Sequence, residues 1–559
     1  MEIKRYFVRV GDREVHYRRV GAGPPFVIFH VSPQDSSFVI PQLLPLANRY
    51  TLIGLDTPGY GESDPLRNSS PTMADYADAV RETLDALGID RTPVYGSHTG
   101  ANIAVELARR APERIAAVIL DGLSLSTPEV AQDRTDHYAP VFTPTADGAH
   151  LAWAWQHTRD QLIFWPWYEA HQANRLTADM KDPDYLHDVV MSKMYASSYW
   201  LGYRAAFGHD SRDALKQLTV PTFFVTADSD AHVAVERSLS DLPDNIYFSD
   251  TTEKNQLDAI AKALLKVTWD EQTLPPPALK PCKVPHRDYV SIAGGQRMVR
   301  RISPSSDSTG DKPLVLLHGG MRTSALLMET AKAIAIHRPV LAIDIAGNGN
   351  SDSISTHTLE SFAVDVHQTL NACGIDHFDL YGESIGASLA LELANQTQGY
   401  GNGAVKKLIL DRPELPDSKT RARLIECCAP PIEARWDGTH FLTAWHILRD
   451  AAMFWPWYNT TEGGIRHIEP EVEPIALQTR LLAWLKGRIT YGDYIRAAYS
   501  VDTMALLPRL SQSTLIIGQS NDVIEAHAIA ATKEMPSAKL ISNPFQRPPI
   551  SAIETFLTE

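Results

Sequence analysis

The sequence predicts an α/β fold of two tandem domains, each a mostly parallel sheet covered by helices. Short apolar runs that end in turn residues, such as PPFVIFH and KPLVLLH, alternate with helical segments, which is typical of strands buried on both faces. The two halves also repeat one another: His98 and Ser384 are 286 residues apart, and Asp230 and Asp522 are 292 apart. At 559 residues the chain exceeds one ordinary domain, so a duplication is the simplest explanation.

The elements follow the same order in each half. Each half opens with two alternating segments around Gly-Asp or Gly-Gly, which predicts a β-hairpin at 8–20 and at 290–302. Between the predicted sixth and seventh strands each half carries a long insertion. The predicted boundaries are domain 1–274 with its insertion at about 123–218, a Pro-rich linker 275–287, and domain 288–559 with its insertion at about 412–510.

Composition argues against several classes of function. Asp and Glu number 67 and Lys and Arg 52, a net charge of −15, so nucleic acid is not an expected partner. The chain shows neither an apolar leader nor a run of about 18 apolar residues, so no membrane association is expected. Cys282, Cys373, Cys427 and Cys428 lack metal-ligand spacing and suit a reducing compartment, which predicts a cytoplasmic protein without a metal or organic cofactor.

The most informative motif follows the predicted fifth strand of each half. The second half reads GESIG around Ser384, a G-x-S-x-G elbow whose small residues permit a sharp strand-to-helix turn. The first half reads GSHTG, with His98 in the central place. With the hairpins, the strand ending in His318-Gly319-Gly320 and the strand ending at Asp344, this order resembles the α/β-hydrolase family over nearly the whole chain.

The resemblance implies that each insertion, at about 123–218 and at about 412–510, forms a helical cap over a site. It also implies specific roles in the second half. Ser384 matches the nucleophile, and the N–H groups of Ile385 and of the Gly319-Gly320 turn match the oxyanion hole. The acid matches Asp522, with Asp411 as the alternative. The equivalent acids of the first half are Asp230 and Asp121.

The base is missing from its expected place. Where the family carries its histidine, the two halves read SDTTEKNQ and SNPFQRPP. A serine hydroxyl is a poor nucleophile unless a base removes its proton. Our preferred base is His440 in the second cap, against the alternative that it stabilises the following helix, and His232 and His527 are further candidates.

The caps contain the most similar segments, DGAHLAWAWQHTRDQLIFWPWY and DGTHFLTAWHILRDAAMFWPWY. Arginines placed four residues after a tryptophan, backed by an aromatic wall, could hold a substrate carboxylate. The alternative is that the tryptophans are core and that acids such as Asp450 and Asp493 neutralise the arginines. The predicted substrate-binding residues are His150, Arg159, Trp445, Arg449, Trp455, Trp457, Tyr458 and Arg496.

Taken together, these patterns predict a hydrolase that acts on a small, carboxylate-bearing or aromatic, ester-type substrate through Ser384. One alternative is a carbon–carbon bond hydrolase or cofactor-free lyase that uses His98 as acid or base with Asp230 or Asp121. Another is that one or both halves only bind a ligand or serve as a scaffold. His98 could also be the relic of a lost site, or reach Ser384 across an interface. The expected partner is a small-molecule substrate, and a homo-oligomer stays open.

Overall fold

The computed structural model describes residues 1–177, 179–196, 198–269, 274, 285–304, 312–398 and 404–559. Within it the chain divides into two compact units. The first unit includes Met1–Thr143 and His150–Ala278, and the second unit includes Leu279–Arg435 and Thr439–Glu559. Apart from its last three residues, the predicted linker 275–287 lies outside the described residues, as does Cys282.

The first unit is built on eight strands. They are β1 (Lys4–Val10), β2 (Arg13–Val20), β3 (Pro25–Phe29), β4 (Thr51–Leu55), β5 (Thr92–Ser97), β6 (Ile115–Asp121), β7 (Thr222–Phe224) and β8 (Ile246–Phe248). The helices are α1 (Ser36–Leu43), α2 (Met73–Leu87), α3 (Thr99–Arg110), α4 (Pro128–His137), α5 (Ala149–Gln161), α6 (Pro183–Tyr195), α7 (Trp200–Phe207), α8 (Ser211–Lys216), α9 (Val233–Arg237) and α10 (Gln256–Leu265).

The second unit repeats this plan. Its strands are β9 (His286–Ile292), β10 (Gly295–Ile302), β11 (Leu314–Leu317), β12 (Val340–Ile343), β13 (His377–Glu383), β14 (Ala404–Asp411), β15 (Ser513–Gln519) and β16 (Lys539–Asn543). Its helices are α11 (Met328–Ile334), α12 (Leu359–Ala372), α13 (Gly386–Gln396), α14 (Ser418–Cys427), α15 (Thr439–Met453), α16 (Pro474–Leu485), α17 (Tyr491–Ser500), α18 (Glu525–Glu534) and α19 (Ile550–Thr558).

Both sheets have the same strand order, which confirms the predicted fold class. The orders are β1-β2-β4-β3-β5-β6-β7-β8 and β9-β10-β12-β11-β13-β14-β15-β16. The opening hairpins are antiparallel, and β2 and β10 also pair antiparallel with β4 and β12, whereas the remaining pairs are parallel. Helices α4–α8 fall between β6 and β7, and α14–α17 fall between β14 and β15, where the sequence predicts the caps.

Burial explains the composition of the strands. Every residue of β3 and of β11 is buried, because helices cover both faces of each sheet. In the first unit one apolar cluster includes Val27 and Phe29, and another includes Phe26 and Ile28. Alternate residues of one strand thus feed the two sides of the sheet. The carboxyl ends of these strands carry the chemistry described next.

None of the described helices is long and apolar enough to cross a lipid bilayer.

Candidate active sites

Two strained elbows connect β5 to α3 and β13 to α13. His98 and Ser384 have positive φ angles of 49° and 55°, a conformation that is uncommon for residues other than glycine. Glycines make the turn sterically feasible: a Cβ at Gly382 would lie 2.3 Å from the carbonyl oxygen of Gly386. Both central side chains are only partly buried, so each elbow holds its reactive group where a small molecule can reach it.

In the second unit, the Ser384 hydroxyl faces a carboxylate. Ser384 Oγ donates a hydrogen bond to Glu414 Oε1. The other oxygen, Glu414 Oε2, accepts hydrogen bonds from Tyr499 Oη at 2.5 Å and from Trp455 Nε1 at 2.8 Å. Because three donors converge on it, Glu414 is fixed in place as an acceptor and can receive the serine proton.

The two acids implied by the family resemblance do not orient an imidazole. Asp522 accepts three hydrogen bonds from Arg466, the shortest being 2.6 Å from Nη2. Asp411 accepts hydrogen bonds from Tyr381 and from Arg412, whose Nη2 lies 3.0 Å from Asp411 Oδ2. Both carboxylates are therefore committed to arginine partners.

The predicted oxyanion turn lies directly against the elbow. A Cβ at Gly319 would lie 3.0 Å from Ser384 Cβ and 3.1 Å from Ser384 Oγ. His318 holds the turn, because one ring nitrogen lies 2.7 Å from the carbonyl oxygen of Gly319 and the other accepts the Ile345 N–H at 3.0 Å. A Cβ at Gly320 would lie 3.2 Å from Cδ1 of Ile385, the residue after Ser384. The oxyanion role of these amides stays a prediction.

A cavity of about 160 Å³, here called the Ser384 cavity, opens on this hydroxyl. Its walls combine aromatic side chains with positive charge. The lining includes Phe454, Trp455, Trp457 and Tyr499 and the arginines Arg322, Arg412, Arg466 and Arg480. Although burial opposes ionisation of Glu383, attraction by Arg322 and Arg412 lowers the pKa of that carboxyl.

The predicted base His440 lies elsewhere in the cap. It is buried on α15, and its Nδ1 accepts the backbone N–H of Arg435 at 3.1 Å. Among the described residues that line the Ser384 cavity there is no histidine. His527 packs instead against Trp455, with ring centroids 5.0 Å apart. The structure therefore corrects the prediction: a carboxylate, not an imidazole, meets the hydroxyl.

The predicted substrate-binding residues divide into two groups. Trp455 and Trp457 line the Ser384 cavity. Four other residues of the second unit do not line that cavity: Trp445, Arg449, Tyr458 and Arg496. The two predicted residues of the first unit, His150 and Arg159, do not line the His98 cavity, which is described below. Trp445 is fully buried core, and Arg496 binds Asp493 at 3.2 Å and the Ala429 carbonyl oxygen at 3.1 Å, which is the structural alternative considered for these residues.

In the first unit, His98 belongs to a cluster of two imidazoles and one carboxylate. His98 Nε2 lies 3.2 Å from Asp230 Oδ2, and His232 Nδ1 lies 2.9 Å from Asp230 Oδ1. The His98 ring rests on Gly122, where an added Cβ would come within 2.8 Å of it. The alternative acid Asp121 is instead hydrogen-bonded by Tyr95 at 2.6 Å and by Gln256 at 2.8 Å.

The two histidines that share this carboxylate have pKa values shifted in opposite directions. For His98, burial opposes the charged form, but attraction and hydrogen bonding by Asp230 raise the pKa to about 9. For His232, burial dominates and repulsion from His98 adds to it, so its pKa is lowered. At neutral pH the cluster therefore pairs a cationic His98 with a neutral His232.

This cluster faces a larger space than Ser384 does. The His98 cavity has a volume of about 400 Å³. Its walls combine aromatic and aliphatic side chains, such as Tyr138, Trp165, Leu176, Tyr185, Val189 and Tyr203, with a similar number of polar ones, such as Gln34. Such a lining is typical of a site for a small organic molecule.

Within the described residues, His98, Asp230 and His232 form the one group whose potential metal-ligating atoms all lie within 4.8 Å of each other. Each Asp230 oxygen already has an imidazole nitrogen within 3.2 Å. The observed arrangement is therefore a hydrogen-bonded cluster.

Glu414 is the residue that sequence reasoning missed. It lies three residues after Asp411, outside the motifs of the family. A comparison of the two halves could have pointed to Glu414. The second half has Ser384, Arg412 and Glu414. At the corresponding positions the first half has His98, Gly122 and Ser124. The elbow residue and its surroundings thus change together.

Sequence comparison places this chain in a known family. A family model described as the alpha/beta hydrolase fold matches residues 24–253 and 312–426, more than half of the chain. The protein therefore belongs to the α/β-hydrolase fold family, with one matched region in each half.

Three curated relatives match over short segments. A dihydrolipoyllysine-residue acetyltransferase component of an acetoin cleaving system from Cupriavidus necator is 37% identical over 115 residues, which is 20% of this chain and 30% of that protein. A putative carbamate hydrolase from Azorhizobium caulinodans is 32% identical, and a 2-hydroxy-6-oxononadienedioate/2-hydroxy-6-oxononatrienedioate hydrolase from Pseudomonas putida is 34% identical. The last two matches each cover 20% of this chain and 41% of the relative, so all three span less than half of the relatives' length.

Two solved structures each match slightly less than half of the length of the chain. A hydrolase from Pseudomonas aeruginosa is 19% identical, with a TM-score of 0.38, and the match covers 49% of this chain and 98% of that one. An enol-lactonase from Burkholderia xenovorans is 18% identical, with a TM-score of 0.37, over 48% of this chain and 100% of that one.

Proposed function

We propose that the second unit hydrolyses a small ester-type substrate, with Ser384 as the nucleophile and Glu414 as the general base. The observation that carries this proposal is the hydrogen bond from Ser384 Oγ to Glu414 on a strained, partly exposed elbow. Two of the relatives are named as hydrolases, which supports the reaction class.

The arrangement accounts for each step of acyl transfer. Glu414 takes the proton as Ser384 Oγ attacks the carbonyl carbon, and the amides of Ile385 and of the Gly319-Gly320 turn receive the oxyanion. The protonated Glu414 then gives its proton to the departing alkoxide, and the acyl group stays on Ser384 as an ester. Glu414 next deprotonates a water molecule, which attacks this ester. The acid product leaves, and Glu414 returns the proton to Ser384 Oγ.

The neighbours of Glu414 position it for this role. Tyr499 and Trp455 hold the carboxylate in place through hydrogen bonds to Oε2, which leaves Oε1 for the Ser384 hydroxyl. The Ser384 cavity of about 160 Å³, with Trp455 and Trp457 in its wall, limits the substrate to a small acyl or aromatic group.

Labelling of Ser384 tests the proposal. A fluorophosphonate probe should label the wild-type protein at Ser384, and Ser384→Ala should lose both this label and the hydrolysis of 4-nitrophenyl esters. Ser388, buried on α13, is a matched control whose replacement by Ala should leave labelling intact. An unlabelled Ser384 in folded protein, or full ester hydrolysis by Ser384→Ala, would rule the proposal out.

A second candidate function lies in the first unit: proton transfer by the His98–Asp230–His232 cluster on a substrate held in the His98 cavity, as in lyase or carbon–carbon cleavage chemistry. The observation in its favour is that Asp230 joins two imidazoles with opposite pKa shifts at the wall of a cavity of about 400 Å³. Cationic His98 would donate a proton and neutral His232 would accept one. This activity would survive Ser384→Ala and disappear in His98→Gln.

The charge of His98 gives a pH test of this cluster. NMR titration should show a pKa near 9 for His98, identified by its loss in His98→Gln, and Asp230→Asn should lower it well below that value. Because the folded pKa exceeds the unfolded value of 6.5, the pair stabilises the first unit fully below about pH 6.5, and this contribution is lost as pH rises through about 9. The exposed Asp228→Asn is the control, and a His98 pKa near 6.5 in the wild type would contradict the assignment.

A further inference from the structure

Beside the Ser384 cavity lies a second, smaller cavity of about 70 Å³, here called the arginine pocket. Arg322, Arg412, Arg466 and Arg480 line both cavities, so the two spaces adjoin at this set of guanidinium groups. Gln519, Glu471 and Gln546 complete the polar part of the arginine pocket.

The arginines of the pocket are not all in contact with a carboxylate. Arg466 pairs with Asp522 at 2.6 Å, and Arg412 bridges Asp411 and Glu383 at 3.0 and 2.8 Å. Arg322 lies 3.3 Å from the same Glu383. Three of the four arginines thus pair with buried carboxylates, which leaves Arg480.

Arg480 is the arginine without such a pair. Among the described residues, none forms a hydrogen bond with its guanidinium or an ion pair within 4.0 Å of it, and its Nε is buried without a partner. Burial and then repulsion from Arg322 lower its pKa to about 10, partly offset by attraction from the exposed Glu471 and from Glu383. Both acids therefore act on this guanidinium from a distance, and its hydrogen-bond donors are left for another acceptor.

Gln519 adds a second unsatisfied group. Its side chain is 1% exposed, and neither its amide nitrogen nor its amide oxygen has a hydrogen-bond partner. Leaving buried polar atoms unpaired is unfavourable, so native proteins retain them mainly where something else fills the site. An anion in the arginine pocket would pair with Arg480 and accept the Gln519 N–H.

The first unit shows that this charge is not a requirement of the fold. The two caps can be aligned on shared features. Each contains an isolated antiparallel β-bridge, between Phe164 and Arg175 in the first unit and between Phe454 and Ile465 in the second, and α6 and α16 both begin at a proline. The residues of the first unit that correspond to Arg322, Arg412, Arg466 and Arg480 are Gln34, Gly122, Leu176 and Val189. All four arginines are therefore particular to the second unit.

We propose that the arginine pocket binds a carboxylate of the substrate that Ser384 hydrolyses, so that this substrate is a small ester with a free carboxylate at its other end. This inference rests on the proposed function. The flat fork of one guanidinium matches a carboxylate, which it can bind through two parallel hydrogen bonds. Arg480 is the principal ligand, with Arg322 beside it.

Binding measurements on the full chain carrying Ser384→Ala test the inference without requiring catalysis. Isothermal titration should show binding of succinate, with its neutral isostere succinamide binding at least about 10-fold more weakly. Adding Arg480→Gln should weaken succinate binding at least about 10-fold, whereas exposed Arg509→Gln should not change it. Because Arg480→Gln removes a charge that no carboxylate of the described residues contacts, its Tm without ligand should not fall, and succinate should raise Tm only when Arg480 is present.

Three outcomes would overturn the inference: equal binding of succinate and succinamide, unchanged succinate binding in Arg480→Gln, or tighter binding of inorganic phosphate than of succinate. If succinate binds as expected but Ser384→Ala leaves ester hydrolysis intact, the proposed function fails while the carboxylate site stands. If Ser384 is labelled and required for ester hydrolysis but succinate does not bind, the carboxylate site fails while the proposed function stands.

Discussion

Replacing Glu414 by Gln should lower kcat for 4-nitrophenyl ester hydrolysis by about 10²- to 10⁴-fold, the range that a positioned general base contributes. The change keeps the shape of the side chain and an oxygen for Tyr499 and Trp455, but an amide cannot take the Ser384 proton. The second-order rate of fluorophosphonate labelling should fall in parallel, since it reports the same hydroxyl. KM should change far less, because Glu414 acts on the nucleophile.

The matched control is Glu426→Gln, which removes an exposed carboxylate on α14 and should leave both rates within about 2-fold. His440→Gln separates the two hypotheses about the base. If Glu414 is the base, the His440 variant keeps its activity, since its Nδ1 binds the Arg435 amide. A large loss in His440→Gln together with an active Glu414→Gln would restore the sequence-based assignment.

Replacing Arg297 by Met should destabilise the second unit by about 3–5 kcal/mol, the typical cost of breaking a buried ion pair. Arg297 is 0% exposed on β10 and reaches Asp365 of α12 through Nε at 2.8 Å and Nη2 at 2.6 Å. Without the guanidinium, Asp365 stays buried and unpaired between sheet and helix. Denaturation in urea, followed by the transition of the second unit, would measure the loss.

Two further variants make the stability test specific. Arg423→Met breaks an exposed pair with Glu426 and should cost less than about 0.5 kcal/mol. The double variant Arg297→Met with Asp365→Leu removes both charges and should recover much of the stability, since no orphan charge remains. A loss below about 1 kcal/mol in Arg297→Met would show that Asp365 is solvated or repaired by another group.

Where local sequence carried the information, prediction and structure agree. The hairpins, the buried parallel strands and the elbows depend on patterns within a few residues: alternation, continuous apolar runs, and glycines around His98 and Ser384. The duplication was visible for the same reason, because equal local patterns recur at equal spacing. Asp230, which the sequence offered together with Asp121 as an acid partner of His98, lies 3.2 Å from His98 Nε2 in the segment that follows β7.

The partners of the functional groups did not follow from such patterns. Glu414 meets Ser384 because the chain turns back after β14, and Arg466 and Arg480 reach the same cavity from separate parts of the cap. Arg449 and Arg496 looked equally suitable in the sequence, yet neither lines the described cavity. A linear motif records the type and spacing of residues, whereas the direction of a side chain depends on how its helix packs.

The sequence by itself determined the family, the duplication, the two elbow residues and the glycine turn against Ser384, because each is encoded by short-range backbone geometry. Only the tertiary structure decided that a carboxylate rather than an imidazole faces the serine, that arginines bind both of the acids implied by the family resemblance, and that no carboxylate of the described residues contacts Arg480. Those facts depend on distances between segments far apart in the chain, which packing of the cap on the sheet fixes.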